Sequence, residues 1–249
     1  MPTLTALTLT GDREFGIRLC AKYVNRQTRS PDRWLVVDDG VTPVNPSVVG
    51  GAQVIARNPT VLDAAHTLPQ NLLTALPLVT TDFLVLMEDD DWYHPEYLAR
   101  MEKWLTKTPL AGEFPALYYR VGTRMWRNMP VKLWRPHASM ACTGVAQSMY
   151  PALAAACIGA NPSVDLRLWR KVFAARRYLH SPQPRLCVGI KGIDGRRGQT
   201  WGWSRNEKGY VCDADMSYLR KLIGDDADAY ADFYEGAPER RANDTSVER

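Results

Sequence analysis

The chain has 249 residues, 45% of them hydrophobic, which is enough for one sizeable core, and a formal charge of only +4. Its first residues, MPTLTALTLTGDRE, lack a basic stretch followed by an apolar one, and no apolar run approaches the roughly 18 residues of a membrane span. Neither a secretory signal nor a membrane anchor is expected, and the pattern of cysteines makes a cytoplasm the expected location. Cys20, Cys142, Cys157, Cys187 and Cys212 form no Cys-x-x-Cys pair and sit among apolar or small neighbours. They read as reduced thiols used as small core residues, not as a disulfide framework or a zinc site.

In chain order, TLTALTLT (3–10) reads as a β-branched strand. GDRE then opens a helix that Asp12 can cap, with Phe15, Leu19 and Tyr23 repeating on one face. WLVVDDG (34–40) is a short apolar run ended by two acids and a glycine, which suits a strand buried on both faces. AQVIAR (52–57) is a weaker strand, and 67–79 reads as a helix with Pro69 in its first turn. DFLVLM (82–87) is the next strand and runs into four consecutive acids, Glu88 to Asp91; HPEYLARMEKWL (94–105) follows as a helix. In the expected packing, Trp92 and His94 pack or cap.

After Pro115 the rhythm changes. ALYYRVGTRMWRNMPVKLWRP (116–136) predicts two or three short strands, 146–159 a helix of small residues, and VDLRLWRKVFAARRYL (164–179) a basic helix. The stretch from Val188 to Arg205 holds five glycines and predicts a loop. MSYLRKLIGDDADAYADFY (216–234) predicts one or two helices, and 237–249 a flexible tail. Strand–helix alternation predicts an α/β fold with a mostly parallel sheet flanked by helices, Rossmann-like in style, and a smaller basic region appended. Residues 1–110 form one half of this domain and 111–236 the other. Ligands of such sheets bind outside the carboxyl ends of the strands, where Asp38, Asp39 and the four acids lie.

Charge is segregated along the chain. Tyr118 to Cys212 carries 16 Lys and Arg against three acids, a surplus of 13 that the rest of the chain offsets with a deficit of nine. A basic second half on a near-neutral protein implies an anionic partner there. The acids need a partner too. Four like charges at a strand end suit a hard divalent cation, Mg²⁺ or Mn²⁺, which takes oxygen ligands and can bridge a diphosphate. Period two puts Glu88 and Asp90 on one side of the strand.

LTLTGDRE, VNRQT, WLVVDDG and FLVLMEDDDWYHPEYL, in that order and spacing, resemble the nucleotide-sugar half of family 2 glycosyltransferases of the GT-A fold. The resemblance spans roughly residues 3–105 and implies a metal-dependent, inverting transfer from a UDP-sugar. It places Thr8, Thr10 and Arg13 at the nucleotide and gives the contact with the uracil ring to Asp38 or Asp39, with Asp39 alternatively a turn residue before Gly40. Aligned on Pro95, Asp90 takes the metal-ligand position, with Glu88 and Asp91 as further candidate ligands, and Asp89 or Glu88 takes the acid that touches ribose or metal. The family's catalytic base matches Asp165 in NPSVDLRLWRK, where Val stands in place of the usual Glu before it; a helix N-cap is the alternative role. The resemblance also implies a loop closing over the diphosphate, and KGIDGRRG (191–198) supplies it, with Lys191, Arg196 and Arg197 as the cations. A His that many relatives place after such a loop is replaced here by WGWSR, so that ligand is missing or comes from elsewhere.

The acceptor is less constrained. The basic segment also carries Trp126, Trp134, Trp169, Trp201 and Trp203, a composition suited to phosphates and stacked bases. Its loop VGIKG-x-x-GR-x-G resembles glycosyltransferase-like proteins of bacteriophages that decorate hydroxymethylated pyrimidines in phage DNA, which implies DNA as acceptor and a host cytoplasm as location. A polysaccharide or small-molecule acceptor is the alternative. A non-catalytic basic nucleic-acid-binding protein is the second, and it leaves the four acids unexplained.

Overall fold

The strand that opens the chain, β1 (Leu4–Thr10), is buried along its whole length, as expected for a strand covered on both faces. The computed structural model describes residues 1–58, 67–129, 136–159, 163–172, 176–195, 198–199 and 209–233, with backbone alone at 194–195 and 198–199. α1 (Glu14–Asn25), β2 (Arg33–Asp38), β3 (Gln53–Ala56), α2 (Leu68–Ala75) and β4 (Phe83–Leu86) continue the alternation. They are followed by β5 (Trp92–Tyr93), α3 (Tyr97–Leu105), β6 (Leu110–Glu113), β7 (Leu117–Arg120), β8 (Met125–Asn128) and β9 (Thr143–Ala146). The remaining elements are α4 (Tyr150–Cys157), α5 (Val164–Lys171), β10 (Tyr178–His180), β11 (Cys187–Lys191), β12 (Asp194–Gly195), β13 (Gly198–Gln199), β14 (Val211–Cys212), α6 (Ser217–Ile223) and a 3-10 segment, Gly224–Phe233.

Seven strands form the main sheet in the order β10-β6-β9-β4-β1-β2-β3. Only β9 is reversed: it runs antiparallel to both β4 and β6, while the other four pairings are parallel. The mixed α/β fold with a mostly parallel sheet is therefore present as expected. The chain leaves β1 toward β2 on one side and returns through β4 on the other, so the order reverses at β1. That is the position where open sheets of this kind open a crevice at their carboxyl edge.

A second sheet, β14-β8-β7-β11-β5, couples the two halves of the chain. Its pair β5–β11 is antiparallel, with Val188 opposite Trp92 and Cys187 opposite Tyr93. Continuing that register carries Ile190 and Lys191 back toward the four acids, about a hundred residues away in sequence. Glu113, fully buried at the end of β6, fastens the same strand at its start by accepting from the backbone N–H groups of Leu186 (2.9 Å) and Cys187 (3.1 Å) and from Arg185 (3.1 Å).

Several local expectations change. Asp12 does not cap α1: it sits at φ 54°, and its carboxylate instead accepts from the N–H groups of Val41 (3.0 Å) and Thr42 (2.8 Å). α1 buries Ile17, Cys20, Ala21, Tyr23 and Val24, whereas Phe15 is covered from outside by Tyr230 and Phe233 of the C-terminal segment. The stretch 146–159 begins as the end of β9 before α4 forms, because TGVA fills the gap between β4 and β6. The basic helix stops at Lys171, and residues 178–180 become a strand on the sheet edge. Four cysteines are buried as expected, but Cys212 is exposed on the outer strand β14.

Candidate active site

Three strand ends meet at the carboxyl edge of the main sheet. β1 ends at Thr10, whose carbonyl accepts from the N–H of Asp39 at the end of β2 (3.0 Å). Gly11 permits this approach, since a Cβ there would lie 2.3 Å from the Asp39 carboxylate. The turn after β4 comes equally close to α1: a Cβ on Gly16 would lie 2.8 Å from the Asp89 carbonyl.

The two acids after β2 divide the work. Asp38 folds its own loop, accepting from the N–H groups of Gly40 (2.9 Å) and Val44 (2.7 Å). Asp39 points toward Gly11 and is steadied by Arg57 and Asn71, each 3.1 Å from its Oδ2. The turn role left open for Asp39 thus falls to Asp38. Thr8 lies deeper, fully buried in β1, where its hydroxyl accepts from Trp34 (3.0 Å). Thr10 is buried at the strand end, its hydroxyl on the side of the Asp89 carboxyl.

The acids 88–91 are not a solvated loop. Asp89, Asp90 and Asp91 are buried and Glu88 half-buried, and carboxylate oxygens of Glu88, Asp90 and Asp91 lie within 4.8 Å of one another. The strand ends at Leu86, so the acids follow a tight turn instead of the period-two alternation. That turn brings Asp91 into the group with Glu88 and Asp90 and directs Asp89 to Arg13 (2.7 Å), whose guanidinium also lies 3.8 Å from Asp90. Lys191, expected on a loop, instead ends β11 and is buried against the cluster, 3.3 Å from Asp91 and 3.8 Å from Asp90.

Electrostatics follow from this crowding. Burial, reinforced by Asp91 and Asp90, pushes the Glu88 carboxyl well above the usual range. Burial also raises Asp89, although Arg13 opposes it. The Arg13 guanidinium is raised chiefly by Asp89. For Lys191, burial alone would lower the ammonium, but Asp90 and Asp91 outweigh it. Asp91 Oδ2 is buried and accepts no hydrogen bond. Three clustered hard oxygen donors, one of them with a free buried oxygen, fit a divalent cation.

Asp165 lies in the first turn of α5, one residue beyond Val164, and Ser163 is the N-cap residue. The capping role is therefore not its own. Its carboxylate lies 4.0 Å from His137 Nε2, and burial raises it despite the N–H of Leu166 and the charge of His137. The Tyr118 phenol feels the charge of both Asp165 and Asp91. The Lys191 ammonium lies 5.4 Å from the centre of the Tyr118 ring. Burial raises the Tyr118 phenol, Lys191 opposes this, and Asp91 and Asp165 both add to it. His137 and Tyr118 carried no signal in the sequence, since both meet the site only through tertiary packing.

Other expected contributors fall elsewhere. Trp169 is removed from the stacking surface: it is fully buried, with its indole N–H donated to Thr143 (3.2 Å). Trp126 is half-buried and stacks on Tyr218 at 3.9 Å between ring centres. Arg196, Arg197, Trp134, Trp201 and Trp203 lie outside the described residues. Asp213, another buried carboxylate of the second half, is spent on α6, accepting from the N–H groups of Tyr218 and Leu219.

The glycosyl transferase family 2 profile matches residues 12–143, just over half the chain, and includes every acid of the cluster. The chain belongs to glycosyl transferase family 2. No curated protein sequence matches it significantly. Among solved structures, this family 2 chain is similar to Staphylococcus aureus TarS (TM-score 0.55, 11% identity, covering 77% of this chain and 37% of TarS). It is similar also to the mannosyltransferase PcManGT of Pyrobaculum calidifontis, solved with GDP-Man and Mn²⁺ (TM-score 0.52, 16% identity, 79% of this chain and 58% of that one). A third is glucosyl-3-phosphoglycerate synthase of Mycobacterium tuberculosis, solved with Mn²⁺, UDP and phosphoglyceric acid (TM-score 0.51, 15% identity, 72% and 68%). The chain thus spans less than two thirds of the TarS and mannosyltransferase structures, and at these identities the likeness shows a shared GT-A fold. Among the described residues no helix is long and apolar enough to cross a membrane.

Proposed function

We propose that this family 2 chain moves a sugar from a UDP-sugar to an acceptor hydroxyl, with inversion at the anomeric carbon and with Mn²⁺ or Mg²⁺ held by Glu88, Asp90 and Asp91. The observation that carries this reading is the convergence of Thr10–Arg13, Asp38–Asp39 and Glu88–Asp91 at one sheet edge, with three carboxylates of the last group gathered closely enough to share a cation. In this reading residues 1–110 hold the donor and 111–236 the acceptor. Asp39, preset by Arg57 and Asn71, reads the uracil ring, and Asp89 or Glu88 meets the ribose. Lys191, Arg196 and Arg197 serve the diphosphate.

A bound divalent cation would supply positive charge to a departing diphosphate. The chain's own groups supply the rest. The acceptor oxygen forms a bond to the anomeric carbon from the face opposite the diphosphate, and its proton passes to the Asp165 carboxylate. The bond from that carbon to the phosphate oxygen breaks, and the electron pair leaves with UDP. A carboxylate raised by burial accepts a proton more readily than an ordinary Asp, which supports the assignment.

For the acceptor we favour a hydroxymethylated pyrimidine in DNA. The surplus of 13 positive charges over Tyr118–Cys212 supports it, as do the exposed Arg170, Lys171 and Arg176 on and beyond the helix that carries Asp165. The burial of Trp169 favours the second reading, a saccharide or small-molecule acceptor, because it removes one stacking platform. The test is to incubate the full chain and Mn²⁺ with UDP- and GDP-sugars and with hydroxymethylated or unmodified duplex. Nucleoside diphosphate released and labelled sugar incorporated are both measured. Incorporation confined to the hydroxymethylated duplex is the expected result. Equal background on both duplexes, with efficient transfer to a simple saccharide, would reverse the choice of acceptor.

A further inference from the structure

Lys191 occupies a place that a diphosphate-binding residue need not occupy. Its side chain is only 10% exposed, and its ammonium sits between Asp91 (3.3 Å) and Asp90 (3.8 Å), two of the three residues whose oxygens cluster within 4.8 Å. The position is built, not incidental. β11 is pinned beside the acid turn by its pairing to β5, and the N–H of Ile190 donates to the same Asp91 oxygen that Lys191 approaches (2.9 Å). The Tyr118 ring lies beside the ammonium at 5.4 Å. Gly189 leaves room for that ring, because a Cβ there would lie 2.4 Å from it.

Charge counting shows why a cation is kept there. Four carboxylates crowd one turn, and among the described residues the cations paired with them are Arg13 and Lys191, with Arg13 placed closest to Asp89. Lys191 is left to neutralise Asp90 and Asp91. A divalent cation accepting oxygens from the same two residues would stand within a few ångströms of the ammonium, and like charges that close in a buried site repel strongly. Both cannot keep these positions.

We propose that the Lys191 ammonium is a resident counter-ion of the acid cluster and that a divalent cation binds by displacing it from Asp90 and Asp91. The inference rests on the metal-assisted reading above and deepens it. Before the metal arrives, Lys191 keeps the buried carboxylates compensated and the turn closed. After exchange, the flexible stem can swing the ammonium along the Tyr118 face toward the donor phosphates. The exchange makes metal binding weaker than three carboxylates alone would allow, and it couples metal binding to the release of a cation for the donor.

The experiment measures Mn²⁺ binding to the full chain, without nucleotide, from the loss of the free-ion electron paramagnetic resonance signal. Wild type is compared with Lys191→Met, which removes the charge, and Lys191→Arg, which keeps it. Lys191→Met should bind Mn²⁺ at least about tenfold more tightly, and Mn²⁺ should raise its Tm further than that of wild type. Lys191→Arg should bind no more tightly than wild type. Should Lys191→Met fail to fold, acetylation of Lys191 in the wild-type chain, followed by peptide mass spectrometry, gives the second readout: it should accelerate severalfold when Mn²⁺ is added. Equal or weaker Mn²⁺ binding by Lys191→Met, or an acetylation rate indifferent to Mn²⁺, overturns the exchange while leaving the metal site standing. No Mn²⁺ binding by any of the three proteins, even with UDP present, overturns the metal reading and the exchange with it.

Discussion

At the scale of single residues, Asp165 shows how position separates roles that sequence alone leaves joined. As an N-cap it would precede the first helical residue and close the open end of the helix; here its carboxylate accepts from the neighbouring N–H of Leu166 (2.7 Å). It sits one step inside the helix, partly shielded, and burial raises it against the pull of Leu166 and His137. Asp165→Asn should therefore lower kcat by about two to four powers of ten with little change in donor affinity. The pH profile carries a second expectation. A general base acts when ionised, so the rate should fall as pH drops through its folded pKa. Because that value is raised, the acid limb of kcat/KM should lie above the ordinary Asp value of 3.8. A variant with normal turnover, or an acid limb unchanged in Asp165→Asn, would return the residue to a structural role.

Between elements, the C-terminal 3-10 segment is the clearest case of a contact that decides the geometry of the site without entering it. Asp226 accepts from Lys22 (2.8 Å) and from the indole of Trp92 (2.7 Å), and its carboxylate pairs with Arg26 (2.5 Å). One carboxylate thus clamps the tail of the domain to α1 and to β5, the strand that follows the acid turn. Burial alone would raise it, but its hydrogen bonds to Lys22, Trp92 and Arg26 win, and the folded value is lowered. A lowered acid stabilises the fold above its unfolded pKa, and that stability is lost as pH falls through the folded one. Asp226→Asn should cost about 1–2 kcal/mol at neutral pH, and the two proteins should converge well below pH 3.8 in urea unfolding. A constant difference across that range would mean that the clamp is packing, not charge. None of this was legible in GDDADAYADFY, which reads as an acidic surface helix, because the partners lie some 130 to 200 residues upstream. The parallel strands were legible, since β2 and β4 are apolar runs followed by acids and β1 alternates leucines with β-branched threonines, patterns that suit strands buried on both faces. Short strands such as β5 and β9 were not, because two to four residues hold no period.

Over the whole molecule, the acid cluster and its three strand ends could be anticipated from order and spacing, whereas the acceptor side could be anticipated only as a charge surplus. Folding shows how that surplus is spent. Arg177 donates to the carbonyl of Trp169 (2.7 Å), Arg124 to that of Ala214 (2.7 Å), and Arg127 lies over the Tyr210 ring at 4.9 Å. Arg185 is committed to Glu113, and Lys191 to the acids. These cations hold the fold together, and replacing them tests stability before it tests binding. Arg170, Lys171 and Arg176 are different, being exposed at the end of α5 and just beyond it. If DNA approaches Asp165 over this surface, those three side chains neutralise phosphates, and each released counter-ion steepens the salt dependence. Duplex binding should weaken with a log–log slope of about −0.9 per ion pair, and the combined Arg170→Ala, Lys171→Ala, Arg176→Ala variant should flatten it by up to about 3. Its apparent KM for DNA should rise while hydrolysis of the donor without acceptor stays as in wild type, because none of the three touches the donor cluster. The target hydroxymethyl group must still reach Asp165, so the base should leave the stack, and a mismatch opposite it should lower KM by easing that step. A salt slope identical in the triple variant and wild type would show that the exposed cations of α5 do not meet DNA, and the saccharide acceptor would then be the better reading.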